Sequence, residues 1–576
     1  MRSNAKRNLL AASILMVGIL ATLFSGYEMS AESWGYWFFA RVLVETGHFI
    51  VPDRGPVYTI YLNLFRWMGY PSCVVIEYIC TSFITLLSIW ILFRSILGNG
   101  WALFSVLLWL PFLQTAEPPV QSLALACSCL AVHLRRSTER ESGRVVSYAL
   151  LVLAGMLRVT NFVLFALFVA ADLWTLIRHN KFRASIVGFR PKFVHWPLAM
   201  LLLLMVSIRL LQSTHPSNTV WFADAEWFPV QGKSLAEGSM LQYMNWSYLD
   251  NTGQTKESDW YFSNQDLFGQ AKSLGEAFHN NPRIILSYVA YNLTTIIPVS
   301  LSITQIKLFS PNFLRGPASL TLYLLMILLV WRVVRDDRHL LLFIAGSFVL
   351  VWATAPSRPQ ERYMVAFIPV LILCGWSVAN VLLELLSKAF TNGLFWKALR
   401  SAVILSSLVV FSMAPRWSKS WEGLLAWAHG ESIMLLGSRE PLGSIEDNKG
   451  VSMRRAYSFL APLASICGAG VMTMEHTFVG AFIDIPLNAL HEIWEVPPFG
   501  EYGDDNYKGL HLNRVPCLFV SENLRSGWGN ATNPRPRFRA YIGPYFDDLV
   551  RKGARVIDVP EYGAVLLAPA VAANLR

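Results

Sequence analysis

Three sets of residues in this 576-residue chain are of types and spacings that do chemistry. The first is Glu32, with Tyr36 four residues on, Arg41 after it, and Asp53 and Tyr58 beyond. A carboxylate so placed is suited to take a proton from a hydroxyl. It is equally suited to the start of a helix, whose dipole favours acids, so both readings stand. The second set is arginine beside apolar sequence: Arg158 in Arg158-Val-Thr-Asn161, and Arg362 in Glu361-Arg362-Tyr363. A guanidinium presents a planar fork that matches phosphate oxygens. Its plainer uses are snorkelling for Arg362 and a buried ion pair for Arg158. The third set is acidic. Asp224-Ala-Glu226 is an acid-x-acid pair that suits a divalent metal through carboxylate oxygens, or is polar loop surface. Glu117, just before Pro118, suits substrate orientation or capping.

The elements that must position these residues are membrane spans. Hydrophobic residues make up 54% of the chain and charged residues 15%, against about 25% charged in soluble domains. Apolar blocks of about 20 residues cross a bilayer. Arg2, Lys6 and Arg7 precede the first block, 8–26, and place the N-terminus in the cytoplasm. Further spans follow at 73–97, 100–116 and 119–134. The basic loop after Arg135-Arg136 and the one from Arg178 to Lys192 should both be cytoplasmic. Only about 33 residues separate them, so they must hold two short or tilted helices turning near Arg158–Asn161. Spans at 194–212, 317–334, 339–354, 363–386 and 401–414 bring the total to about eleven. The apolar stretch 284–303 should lie in the interface or re-enter.

Two outer loops result, 27–71 and 213–283. Trp34, Trp37, Phe38, Arg41 and Val42 recur at helical spacing, so Ser33 to Thr46 reads as an interfacial helix with aromatic rings at headgroup depth, stopped by Gly47. From residue 415 the composition shifts to Pro, Gly, Asp and aromatic residues. Strand-like runs at 477–485, 515–521, 554–559 and 564–568, with an amphipathic helix at 545–553 stopped by Gly553, indicate an extracytoplasmic α/β domain over 415–576. The expected fold is therefore mostly α: a polytopic transmembrane helical bundle over 1–414, with interfacial helices in its first outer loop and that α/β domain after it. Cys467 and Cys517 are the two cysteines of the α/β region and can pair in an oxidising compartment.

Taken together, these residues resemble the GT-C class of polytopic glycosyltransferases, which includes protein O-mannosyltransferases and lipid A aminoarabinose transferases. The resemblance is carried by Glu32, Tyr36, Ala40-Arg41, Gly47 and Pro52, with Gly55-Pro56-Val-Tyr58 before the second span. It continues in Ala116-Glu117-Pro-Pro, Leu157-Arg158-Val-Thr-Asn161, His279-Asn-Asn-Pro282 and Arg362-Tyr363 with Pro369, over roughly residues 8–390. The family most often carries Asp, frequently as Asp-Glu, where this chain has Glu32-Ser33. The resemblance implies a polyprenyl-phosphate sugar as donor, Glu32 as the base, and Arg158 and Arg362 as clamps on the leaving phosphate. It further implies that Tyr36, Asp53, Tyr58, Glu117 and Tyr363 bind substrate, with membrane lipid and an acceptor glycan, lipid or protein as partners. No cofactor follows from it, apart from a divalent metal if Asp224 and Glu226 hold one.

Other functions are bounded by the same sequence. The net charge of +10 sits mostly in short loops between apolar blocks, where it sets topology, so no nucleic-acid partner is expected. The sequence contains no Walker or Rossmann glycine motif, no His-Glu-x-x-His and no Gly-x-Ser-x-Gly. A transporter or lipid flippase would line the middle of its spans with charge rather than one outer surface. A glycan-binding membrane scaffold would keep the fold without the carboxylate chemistry.

Overall fold

The structure is a computed structural model. It describes residues 2–23, 31–46, 56–70, 72–113, 120–138, 141–178, 274–302, 317–354 and 361–389. It also describes single positions between 244 and 271, and residues 460–463, 467, 471–473, 481–485, 490–492, 517–521, 550–559 and 563–573.

The described chain is mostly helical. It runs α1 (Arg2–Leu23), α2 (Ala31–Thr46), α3 (Pro56–Arg66), α4 (Ser72–Leu97), α5 (Asn99–Leu113), α6 (Val120–Ser137), α7 (Glu141–Leu157) and α8 (Phe162–Arg178). After these come α9 (Leu274–Asn280), α10 (Pro282–Ser302), α11 (Pro317–Val334), α12 (Arg338–Trp352) and α13 (Ile368–Ala389). Helix α4 has 26 residues, about 39 Å at 1.5 Å per residue, more than a hydrocarbon core of about 30 Å. Together with Met364–Val381 it makes two helices long and apolar enough to cross a membrane among the described residues. Asn8–Leu20, Ser142–Leu157, Phe162–Thr175, Thr321–Val334 and Arg338–Trp352 are shorter apolar helices. The spans expected at 194–212 and 401–414 lie outside the described residues.

Charge sorts the helix ends. Arg94, near the end of α4, donates to Asn8 of α1 at 2.9 Å. Arg136 of α6 donates to Ser95 Oγ at 2.6 Å and pairs with Asp337, which caps α12 by accepting from the Leu340 N–H at 3.0 Å. Arg338 donates to the Ala171 carbonyl of α8. The arginines that the charge pattern assigns to cytoplasmic turns thus meet at one end of the bundle. Within α4, Thr85 and Ser88 return their hydroxyls to the Thr81 and Ile84 carbonyls at 2.8 and 2.6 Å, so that buried polar atoms are satisfied inside the helix.

The expected α7–α8 hairpin is present, joined by a short 3-10 turn at Val159–Asn161. Gly155 makes the turn possible, because a Cβ there would overlap the Phe162 ring. Helix α8 packs on α12, where Gly346 leaves room for Leu164.

The C-terminal region carries a five-stranded sheet in the order β2-β1-β3-β5-β4. Its strands are β1 (Val471–Thr473), β2 (Leu490–Glu492), β3 (Cys517–Ser521), β4 (Arg555–Val559) and β5 (Gly563–Leu567). β1 runs parallel to β2 and β3, and β5 is antiparallel to β3 and β4. Gly553 closes the preceding helical turn at φ +90°, a conformation that L side chains seldom adopt. Cys467 and Cys517 form a disulfide with their Cα atoms 5.6 Å apart, tying the approach to β1 onto β3.

One expectation changes. The run 477–485 is not a strand over its described part. Residues 481–482 close a helical turn, and the backbone beyond them leaves the Ile483 and Ile485 carbonyls unpaired by any sheet; Arg41 donates to them at 2.8 and 2.5 Å. The described α2 aromatics, moreover, are covered by protein rather than left on the surface. Tyr36, Trp37 and Phe38 are buried in protein, and Phe482 packs between Trp37 and Tyr70, with ring centroids 5.8 and 4.6 Å away. The amphipathic period locates a buried face without saying whether lipid or another domain covers it.

Arg41, itself paired with Glu45 at 2.5 Å, therefore holds the C-terminal region on α2. Arg41→Ala removes one donor from the Ile483 carbonyl, which keeps the Ile485 N–H at 2.9 Å, and the guanidinium donor from the Ile485 carbonyl, at roughly 1–3 kcal/mol for a buried acceptor left unsatisfied. Limited proteolysis of the purified chain should release the C-terminal region severalfold faster in this variant, whereas Glu45→Ala, at the half-exposed side of the pair, should change the rate little.

Candidate active site

At the end of the bundle opposite the arginine cluster, α2, α3 and the α7–α8 turn converge. α2 begins at Ala31, so Glu32 stands in its first turn, where the dipole favours an acid, one turn before Tyr36. The Glu32 side chain lies outside the described residues. Tyr36 is 1% exposed, and its hydroxyl accepts from Arg158 Nη1 at 3.4 Å. The α7–α8 turn presents Arg158 for that contact. Its N–H donates to the Ala154 carbonyl at 3.0 Å, and its own carbonyl accepts from the Asn161 N–H at 2.9 Å.

Arg158 also lines a cavity of about 140 Å³. Gln121, Thr160, Asn161 and Thr354 supply its other polar groups, and Leu350, Ala353 and Ala366 an apolar wall. A pocket that encloses a whole small ligand has about 300–1,000 Å³, so this one suits a head group whose remainder lies elsewhere. Ala366 belongs to a 3-10 segment, Glu361–Phe367, in which Arg362 and Tyr363 precede it by four and three residues. The side chains of Arg362 and Tyr363 lie outside the described residues, as do Asp53, Glu117, Asp224 and Glu226. Gln121 is four residues past Glu117, near the start of α6.

Tyr58 lies beneath Tyr36. The two rings meet edge to face with centroids 5.0 Å apart, and the Tyr58 hydroxyl donates to Glu77 Oε1 at 3.2 Å. Thr81 donates to the same oxygen at 2.6 Å and shares a 3.1 Å hydrogen bond with Tyr61. Burial, reinforced by the nearby Glu77 carboxyl and opposed by the bond to Thr81, raises the Tyr61 hydroxyl above its ordinary pKa, so it is a neutral hydroxyl at pH 7.

Of the residues singled out from sequence, the structure joins Tyr36, Tyr58 and Arg158, with the backbones of Glu32 and Arg362 close by in chain. Sequence reasoning passed over Gln121, Thr354 and Glu77. A lone acid in the apolar run 72–97 was the signal for Glu77, since such an acid needs a reason. Among the described residues no three His, Cys, Asp or Glu side chains gather as a metal site.

Neither a family model nor a curated protein matches this chain. Solved structures similar to it include two crystal structures of the Archaeoglobus fulgidus oligosaccharyltransferase. One is tethered by a disulfide bond to an acceptor peptide containing the NVT sequon, with a TM-score of 0.41 and 12% identity, covering 97% of this chain and 74% of that one. The other is the apo form, with a TM-score of 0.38 and 11% identity, covering 96% and 74%.

The Arg158 turn depends on Gly155. Gly155→Ala forces the Phe162 ring aside, and overpacking of this kind costs about 1–3 kcal/mol. A lower thermal midpoint in detergent is expected, together with weaker binding of any anionic ligand that Arg158 holds.

Proposed function

We propose that this chain is a glycosyltransferase of the membrane, which moves a sugar from a polyprenyl-phosphate donor to an acceptor hydroxyl with inversion. The observation that carries the reading is the guanidinium of Arg158, held against Tyr36 at the mouth of a small half-polar cavity, one helical turn along α2 from a carboxylate. A donor of this class has a polar head and a long apolar tail. It needs a head-group pocket with charge on one side and apolar surface on the other, next to the lipid.

The reaction needs few groups. Glu32 accepts the proton of the acceptor hydroxyl as the oxygen attacks the anomeric carbon. The bond from that carbon to the phosphate oxygen breaks, and the lipid phosphate leaves with the bonding electrons. Arg158, joined by Arg362, stabilises the charge that develops there, and the planar fork of each suits phosphate oxygens. Tyr36 fixes Arg158 through its hydroxyl and keeps the base and the clamp at a constant separation. No step requires a metal.

The expected setting is a polytopic bundle of about eleven spans, with its site at the outer face. Two features support that side. The arginines at the other end follow the cytoplasmic charge bias, and the Cys467–Cys517 disulfide suits an oxidising compartment.

The test uses purified full-length chain in lipid nanodiscs with labelled polyprenyl-phosphate sugars and a panel of hydroxyl acceptors. Glu32→Gln should lower transfer by roughly 10²–10⁴-fold while donor binding persists. Arg158→Lys should raise donor KM and lower kcat together, because the second arm of the fork is lost. Full transfer by Glu32→Gln rejects the base, and unchanged donor KM in Arg158→Lys rejects the clamp.

A further inference from the structure

Glu77 has no part in the reaction just described, yet it is held like a residue with a task. It is 1% exposed, six residues into a helix whose other charged residue is Arg94 near the far end, and a buried carboxyl persists only if hydrogen bonds meet it. Those bonds come from two elements. Thr81 lies one turn further along α4, and Tyr58 comes from α3. Tyr61, three residues past Tyr58 and therefore on the same face of α3, bonds to Thr81. The carboxyl thus stands at the centre of a four-residue polar seam between α3 and α4.

The seam does not end there. Tyr58 is 2% exposed, and its ring abuts Tyr36, whose hydroxyl receives Arg158. Two hydrogen bonds and one aromatic contact lead from Glu77 to the guanidinium at the cavity. We propose that Glu77 is a positioning residue for sugar transfer: it fixes the Tyr58 ring, and through that ring the seat of Tyr36 and the place of Arg158. This deepens the glycosyltransferase reading and rests on it. Glu77 acts through Tyr58 rather than on substrate. An apolar residue of similar size would leave the Tyr58 and Thr81 hydroxyls without their acceptor and free the ring to turn. An error of about 1 Å at a reacting group costs on the order of 10²-fold in rate, so a firm support two residues removed is felt at the site.

The experiment compares Glu77→Leu, Glu77→Gln, Tyr58→Phe and the Leu/Phe double variant as full-length chains in nanodiscs, at equal amounts of protein that elutes as a single monodisperse peak. Glu77→Leu and Tyr58→Phe should each lower kcat by about tenfold, with donor KM changed less than about twofold. The double variant should be no slower than the worse single one, since both break the same link. Glu77→Gln keeps an oxygen acceptor and should restore at least half of kcat. Multiplying losses in the double variant, a Gln variant as slow as Leu, or Leu as fast as the parent would each overturn the proposal. If Glu77→Leu does not fold, the comparison of Glu77→Gln with Tyr58→Phe decides by the same criteria.

A readout without turnover separates this idea from the reaction itself. A fluorotyrosine at position 36 should shift its fluorine resonance in Glu77→Leu and in Tyr58→Phe, and recover in Glu77→Gln. A resonance indifferent to Glu77 overturns the positioning role. A parent chain that transfers no sugar from any donor, with the resonance responding as stated, removes the reaction and leaves the linkage standing.

Discussion

Arg135 is buried where α6, α7 and α8 meet, and it shows how the bundle handles charge. Its guanidinium pairs with Asp172 at 2.6 Å, donates to Ser147 at 3.2 Å and lies over the ring of Tyr148 at 4.2 Å. Tyr148 in turn donates to the same carboxylate at 2.7 Å. A lone buried ion would be several kcal/mol dearer than a solvated one, so an apolar bundle keeps ionisable groups only where partners converge. That requirement leaves two polar regions in the described bundle. At one end arginines pair with Asp172 and Asp337 or donate to a carbonyl oxygen, which suits anchoring. At the other, Arg158 donates to the Tyr36 hydroxyl and lines the cavity.

Helix α2 belongs to both the site and the domain contact. Its first turns carry Glu32 and Tyr36, while Trp37 and Arg41 grip residues 482–485 of the C-terminal region. One helix thus joins the carboxylate's place in the chain to the contact with the C-terminal region. The disulfide between Cys467 and Cys517 stiffens the domain from which the gripping segment projects. The site is thus braced from beneath by Glu77 and Tyr58 and from above by Arg41.

The helices were legible because they are written as long apolar runs, and the α7–α8 turn because two basic loops left too few residues between them. Arg158 could be picked out because a guanidinium inside apolar sequence is unusual, and Tyr36 through the resemblance to the GT-C pattern. What could not be read was the partner of each buried face. The period of α2 marks Trp37 and Arg41 as one-sided, but their cover comes from residues more than 400 positions away, whose own pattern suggested a strand. Glu77 was legible as an oddity and no more, since the two tyrosines that give it meaning lie on another helix.

The order of the sheet bears on how neighbouring copies of the protein meet. Among the described strands its rims are β2, of three residues, and β4, whose exposed positions include Arg555 and Asp558. Short or charged rims offer little to a neighbouring chain seeking to add a strand. Where copies are crowded together, the described edges therefore offer few positions for cross-molecular ladders.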